Sequence, residues 1–287
     1  MKIKVALCQM EVIDNKEANI KKARNMIKKA KKEDADLIIL PEMFNCPYEN
    51  DKFIEYSETL EDSKTLKEVH KIAKEEEIYI LAGSIPEKVN IKNQTQNTQY
   101  DKKYEIYNTS CLFDDKGNII GTHRKAHLFD IDISGKISFK ESDTLNAGKN
   151  ITVINTKFGK IGIGICYDIR FIELSRIMAL EGAKILIFPG AFNLTTGPAH
   201  WELLFRSRAL DNQVFAIGVA PALNEESTYN SYGHSIIANP MGETLIQGNY
   251  SEELIIQEID LDEITKVREE IPVLKNRRDD LYSIKRI

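Results

Sequence analysis

The sequence predicts an α/β fold in which two packed, mixed sheets carry helices on their outer faces. Three observations predict it. Apolar runs of strand length alternate with amphipathic helical stretches from Lys2 to Ser84. The same alternation returns from Lys160 to Ala220, and hairpin-like strands lie between and after these two regions. A closed barrel is the competing topology. A chain of 287 residues suits two average domains, yet α/β sandwiches of this size form around one core, and a single domain over 1–287 is expected.

Each element follows from its own pattern. Lys2–Cys8 alternates as a strand, and Lys16–Lys32 sets Ile20, Ala23, Ile27 and Ala30 at helical spacing. Asp14, three residues before Glu17, predicts the cap of that helix. Its lysine-rich face opposes an apolar stripe and reads as a solvated surface. Asp36–Leu40 is an apolar strand, Lys64–Glu76 a helix and Ile78–Ser84 a strand. Glu87–Lys103 is rich in Asn, Gln and Lys, can bury little, and is expected to be a long mobile surface loop. Tyr104–Phe113 and Asn118–His123 flank Asp114-Asp115-Lys116-Gly117 as a hairpin.

The second half repeats the scheme. Strands are expected at Thr152–Asn155 and Lys160–Cys166, a helix at Phe171–Glu181 stopped by Gly182, then a strand at Ala183–Phe188. Helix Pro198–Asn212 leads to strand Val214–Ala220, strands near Gly233–Ala238, Glu243–Gly248 and Leu254–Glu258, and a short helix near Asp262–Glu270. Ile271–Ile287 has no clear period and is a candidate to wrap a neighbour.

Composition narrows the function. Hydrophobic residues at 42% and charged residues at 29% are ordinary for a water-soluble globular chain. A net charge of -5 offers no broad positive field, so neither nucleic acid nor a membrane surface is expected as partner, and a small molecule is. Met1–Met10 alternates and lacks a secretory signal, and no apolar run approaches the roughly 20 residues of a membrane span. Four cysteines, Cys8, Cys46, Cys111 and Cys166, lie far apart with no CxxC pair, which suggests no zinc site and no disulfides. Reduced thiols in the cytoplasm fit that pattern, and no cofactor is called for.

Three positions carry possible chemistry. Cys166 ends the apolar stretch Gly162–Ile165 and is followed at once by a helix, a junction that would push the sulfur into a cleft. Helix N–H groups there would lower the thiol pKa and favour a thiolate nucleophile; an inert buried cysteine is the alternative. Glu42 follows the strand Leu37-Ile38-Ile39-Leu40-Pro41 at its carboxyl end, where α/β sheets bind ligands, so it could handle protons or be an ordinary loop glutamate. Lys125, in His123-Arg124-Lys125-Ala126-His127, could hold an oxyanion or belong to a solvated basic cluster. His123 and His127 have the i, i+4 spacing of a metal pair, but the flanking sequence does not read as helix, and no metal is expected.

These positions together resemble the carbon-nitrogen hydrolase (nitrilase) superfamily. The matching segments are Leu40-Pro41-Glu42-Met43-Phe44, His123-Arg124-Lys125-Ala126-His127-Leu128 and Gly164-Ile165-Cys166-Tyr167-Asp168-Ile169-Arg170-Phe171. Within it the sequence is most similar to the omega-amidase branch, through Phe129–Asp132, Pro189–Glu202 and the run from Arg206 to Gln213. The resemblance spans essentially the whole chain; the polar stretch around Asn90–Lys103 departs from it as an insertion.

The resemblance implies a four-layer α-β-β-α sandwich and hydrolysis of the terminal amide of small dicarboxylate monoamides through a cysteine thioester. It implies that Cys166 attacks, that Lys125 and the backbone N–H of Tyr167 hold the oxyanion, and that Glu42 relays protons. Glu141 would orient the lysine, or serve only as a structural ion-pair partner. Arg170 would anchor the remote carboxylate, or else pair with Asp168 or Glu173; Tyr48, Phe192 and Thr196 would line the pocket. A homodimer or larger homo-oligomer is implied as well. The alternatives are a nitrilase, an N-carbamoyl amino acid hydrolase or an amidase for deaminated glutathione with the same triad, or a non-catalytic binding protein on the same fold.

Overall fold

Two six-stranded mixed sheets stack between pairs of helices in a computed structural model that describes residues 1–91 and 103–287. In chain order the first half contains β1 (Lys2–Gln9), α1 (Lys16–Lys32), β2 (Leu37–Ile39), α2 (Asn50–Tyr56), α3 (Lys64–Glu75), β3 (Tyr79–Asn90), β4 (Tyr104–Phe113) and β5 (Ile119–Arg124). A small hairpin of β6 (Asp130–Ile133) and β7 (Ile137–Lys140) follows. The second half contains β8 (Thr152–Thr156), β9 (Gly159–Ile163), α4 (Ile172–Leu180), β10 (Ala183–Pro189), α5 (Gly197–Asn212), β11 (Phe215–Val219), β12 (Ile236–Ala238), β13 (Thr244–Gln247), β14 (Glu253–Asp260) and α6 (Asp262–Glu270).

One sheet runs β14-β1-β2-β3-β4-β5 and the other β13-β12-β11-β10-β9-β8. In each, three central strands are parallel and the flanking strands antiparallel: β1, β2 and β3 in the first, β9, β10 and β11 in the second. Parallel strands covered on both faces must be apolar along their whole length. Their alternate residues therefore divide between two cores. Val5, Leu7, Leu37, Ile39 and Leu81 meet Ile163, Ile185, Ile187 and Ile217 between the sheets. Ala6, Cys8, Ile38 and Ile80 turn outward under Ile27 of α1 and Leu66, Val69 and Ile72 of α3. Leu186, Phe188 and Ala216 lie under Met178 of α4 and Trp201 and Phe205 of α5. Truncating any of these wholly buried aliphatics to alanine costs about 2–5 kcal/mol.

Several local expectations are corrected. The cap of α1 is Asn15, whose side chain accepts from the Ala18 N–H, while Asp14 instead accepts from the Tyr56 hydroxyl. The expected loop from Glu87 begins later: β3 continues to Asn90, opposite Tyr104, because β4 supplies a ladder partner that composition alone does not reveal. The rest of that stretch, 92–102, lies outside the described residues. The expected strand to Cys166 stops at Ile163. Between β4 and β5, Asp114 Oδ1 accepts from the N–H groups of Lys116 and Asn118, and Gly117 sits at φ 83°, where a side chain would strike the His70 carbonyl. Ile271–Ile287 forms neither helix nor strand, as its lack of period predicts; the Ile271 carbonyl accepts from Gln213 Nε2 at 2.5 Å and Arg286 faces Glu181 at 3.8 Å. No helix among the described residues is long and apolar enough to cross a membrane.

Candidate active site

The carboxyl ends of β2 and β9 and the loop after β5 converge on one buried cluster. Glu42 follows β2 in a turn that places Met43 at φ 52°, a left-handed conformation secured by Met43 N–H donating to Ser84 Oγ at 2.9 Å. Lys125 follows β5, its N–H donating to the Asn108 carbonyl and its own carbonyl accepting from Gly148. Both side chains are completely buried. Lys125 Nζ donates to Glu42 Oε1 at 3.1 Å, to Glu141 Oε1 at 2.8 Å and to the Tyr48 hydroxyl oxygen at 3.2 Å. Glu141 comes from the short turn after β7, and its other oxygen accepts from the Phe129 N–H at 2.6 Å. Tyr48 donates to Glu141 and lies 3.3 Å from Glu42 Oε1.

Two further donors fix Glu42. Asn108 Nδ2 donates to Oε1 at 2.7 Å and the Ala191 N–H to Oε2 at 2.6 Å. Sequence reasoning missed Asn108, because an asparagine within a strand carries no signal of what it faces. It also missed Tyr229, whose ring packs 4.6 Å from that of Tyr48 and whose hydroxyl donates to the Ala191 carbonyl at 2.6 Å.

Cys166 begins a five-residue 3-10 turn, Cys166–Arg170, and adopts φ 48°. A left-handed non-glycine residue is strained and persists only where its surroundings dictate it. Here the dictating contact is Asp168, completely buried, whose carboxylate gathers donors from both sides of the junction. It accepts from His123 Nε2 at 3.0 Å, His127 Nδ1 at 2.7 Å, and the N–H groups of His127 at 2.9 Å, Ala126 at 3.4 Å and Ile165 at 3.0 Å. One side chain thereby ties the residues after Lys125 to the residue before Cys166. The two histidines are thus structural ligands of a carboxylate, and no metal-holding cluster of His, Cys, Asp or Glu exists among the described residues. On the far side, Arg208 of α5 donates to the carbonyls of Ile169 and Arg170 and closes the turn. Gly190 lets the next strand end pass: a Cβ there would lie 3.1 Å from Cys166 Cα.

The electrostatics overturn one expectation. Burial, reinforced by the charge of Glu42, raises the Cys166 thiol well above its ordinary range, and Lys125 opposes this only in part. The turn is too short to act as a helix N-terminus, and two carboxylates from distant segments face the sulfur, so the resting group is a neutral thiol. Burial opposes the charge on Lys125, yet Glu141 and Glu42 outweigh it and keep the ammonium protonated. Burial also raises Glu141 despite its lysine partner.

The remaining expected residues surround this cluster. Tyr48 belongs to the cluster itself. Tyr167 stacks edge-on between Phe129 and Phe171, and its backbone N–H has no acceptor among the described residues. Arg170 pairs with neither Asp168 nor Glu173; its guanidinium lies over the Phe192 ring at 4.8 Å and Nη1 meets His200 Nδ1 at 3.2 Å. Phe192 packs on Trp201, and Thr196 is nearly buried at the start of α5, donating to Asn193 Oδ1. A neutral thiol, a carboxylate base, a fixed ammonium and a free N–H are the parts that acyl transfer requires.

Known proteins are similar to this chain in sequence and in fold. The sequence model of the carbon-nitrogen hydrolase family matches residues 4–269. Nitrilase homolog 2 of Dictyostelium discoideum is 47% identical, covering 98% of this chain and 82% of that protein. Omega-amidase NIT2 of Bos taurus is 42% identical, covering 98% and 97% respectively. The crystal structure of Saccharomyces cerevisiae Nit3, a member of branch 10 of the nitrilase superfamily, matches with a TM-score of 0.85 at 41% identity over 96% of this chain and 97% of that one. With its two mixed sheets, outer helices and three convergent motifs, the chain belongs to the carbon-nitrogen hydrolase family of the nitrilase superfamily.

Proposed function

We propose that this protein hydrolyses the terminal amide of small dicarboxylate monoamides, of the 2-oxoglutaramate, 2-oxosuccinamate or succinamate type, releasing ammonia. Glu42 takes the thiol proton as Cys166 Sγ bonds to the amide carbon. The carbonyl oxygen becomes an oxyanion held by Lys125 Nζ and the Tyr167 N–H. When the C=O re-forms, the C–N bond breaks and the nitrogen leaves as ammonia with the proton from Glu42. Water then gives a proton to Glu42 and attacks the thioester. Collapse of this second adduct breaks the C–S bond, returns the proton to sulfur and frees the carboxylate.

The observation that carries this reading is the buried ammonium of Lys125, 3.1 Å from Glu42 and 2.8 Å from Glu141, with the charges of all three felt at Cys166. A raised thiol needs a base at the moment of attack, and Glu42, whose charge is felt at the thiol, supplies one. The substrate class rests on Arg170, which has no carboxylate partner among the described residues and feels the charge of an ionised Cys166, together with relatives named omega-amidase. Glu141 and Tyr48 hold the lysine; Phe192 and Thr196 bound the acyl chain.

Ammonia release should be measured across half-amides of four- and five-carbon dicarboxylates, half-ureides and nitriles. Turnover of the half-amides, with KM raised strongly by Arg170→Met, is expected. Robust turnover of a nitrile or ureido acid with none of the half-amides would discard the substrate assignment.

A further inference from the structure

We propose that His200 is a positioning residue for Arg170, and that its neutral form keeps the guanidinium aimed at the carboxylate of the substrate. The inference rests on the reading of Arg170 as carboxylate anchor and adds the group that governs it. A guanidinium only donates, so the 3.2 Å contact from Arg170 Nη1 to His200 Nδ1 requires a lone pair on Nδ1. The imidazole must then be neutral, with its proton on Nε2. Arg170 has no other polar side-chain partner among the described residues: its Nε is buried without an acceptor, and its guanidinium carbon lies over the rings of Phe192 at 4.8 Å and Tyr167 at 5.6 Å. Two rings bound the guanidinium, and the one hydrogen bond supplies its direction.

The partner lies on a different element, which makes it a device of the tertiary fold. Arg170 ends the turn that begins at Cys166, whereas His200 is in the first turn of α5. Arg208, about two turns further along the same helix, holds the Ile169 and Arg170 carbonyls, so α5 grips both the backbone and the side chain of the anchor. The groups recorded against Arg170 are Cys166, Tyr167, Tyr229 and His200, and the charged group against His200 is Arg170. Burial and the neighbouring guanidinium hold His200 below the ordinary histidine range, so it is neutral near pH 7. Below that shifted value the ring gains a proton on Nδ1, the hydrogen bond is lost and two cations face each other. The carboxylate of the substrate remains ionised in this range, so the loss appears in binding while the chemical step is untouched.

The test measures binding of 4-oxopentanoate, which carries one carboxylate and no second titrating group, by calorimetry, and steady-state kinetics on succinamate, from pH 5.5 to 8, in the parent protein and in His200→Ala, His200→Asn and Arg170→Met. His200→Ala should raise Kd and KM about five- to tenfold at pH 7.5, the worth of one ordinary hydrogen bond at a solvent-exposed contact, with kcat within about twofold. Asn offers a carbonyl that accepts the same bond and does not titrate, so His200→Asn should restore Kd at pH 7.5 and remove the weakening at low pH. Overturning results are an unchanged Kd in His200→Ala while Arg170→Met loses binding, or an acid limb that persists in His200→Asn. An unchanged Kd in Arg170→Met would refute the anchor itself, and this proposal with it. A joint fall of kcat and stability in every His200 variant would make the residue merely structural.

Discussion

Replacing Asp168 by Asn tests how the site is held together. The carboxylate is completely buried and accepts from Ile165, Ala126, the His127 N–H, His123 and the His127 ring. One amide oxygen can serve about two of these donors, and the new amide nitrogen would point at the others, leaving roughly three buried donors unpaired at about 1–2 kcal/mol each. The expected loss is about 3–6 kcal/mol, which in a chain of this size lowers Tm by on the order of 10 °C. Activity should fall as well, since the same bonds set the left-handed backbone at Cys166 and the loop after Lys125. The pH dependence has a definite sign. Hydrogen bonds from His123 and His127 outweigh burial and hold the Asp168 carboxyl well below the usual carboxylate range. Its contribution is therefore complete above the unfolded value near 4 and is lost as pH falls below it. Denaturant unfolding at pH 7 and at pH 3–4 measures both effects. A variant within about 1 kcal/mol of the parent at pH 7, with unchanged kcat, would refute the reasoning.

Other outcomes follow from the same geometry. Lys125→Met should lower kcat by about a hundredfold or more with far less effect on KM, as expected for lost oxyanion stabilisation, checked by ammonia release. Because the Cys166 thiol lies above its ordinary range, its alkylation by iodoacetamide should be slow at neutral pH and still rising at pH 9; a plateau below pH 8 would contradict the assigned direction. Gly190→Ala, with its new Cβ 3.1 Å from Cys166 Cα, should cost activity more than stability, read as kcat against the Tm shift.

Strand and helix periodicity made the α/β layering legible, because buried parallel strands are apolar on both faces and each outer helix needs an apolar stripe. Elements with little to bury escaped notice. Helix α2 buries only Phe53 and Tyr56, and the β6–β7 hairpin alternates residues of intermediate and full exposure, so neither shows a strong pattern. The three motif residues were readable because each follows a strand. Their environment was not: the raised thiol depends on Glu42 and Glu141, which reach Cys166 only through the fold. The Asp168 knot was invisible for a similar reason, since its donors come from two separate stretches of chain. Arg170 ends the turn that begins at Cys166 and its partners are expected on its own segment, whereas the structure supplies His200 from α5.

Most direct of all is a rapid-quench mass measurement of the intact protein during turnover of succinamate, followed by peptide mapping. The account predicts a succinyl adduct on Cys166 that forms with a burst of ammonia and is absent in Cys166→Ala. Steady ammonia release with Cys166 unmodified, or an adduct on Cys8, Cys46 or Cys111, would contradict it.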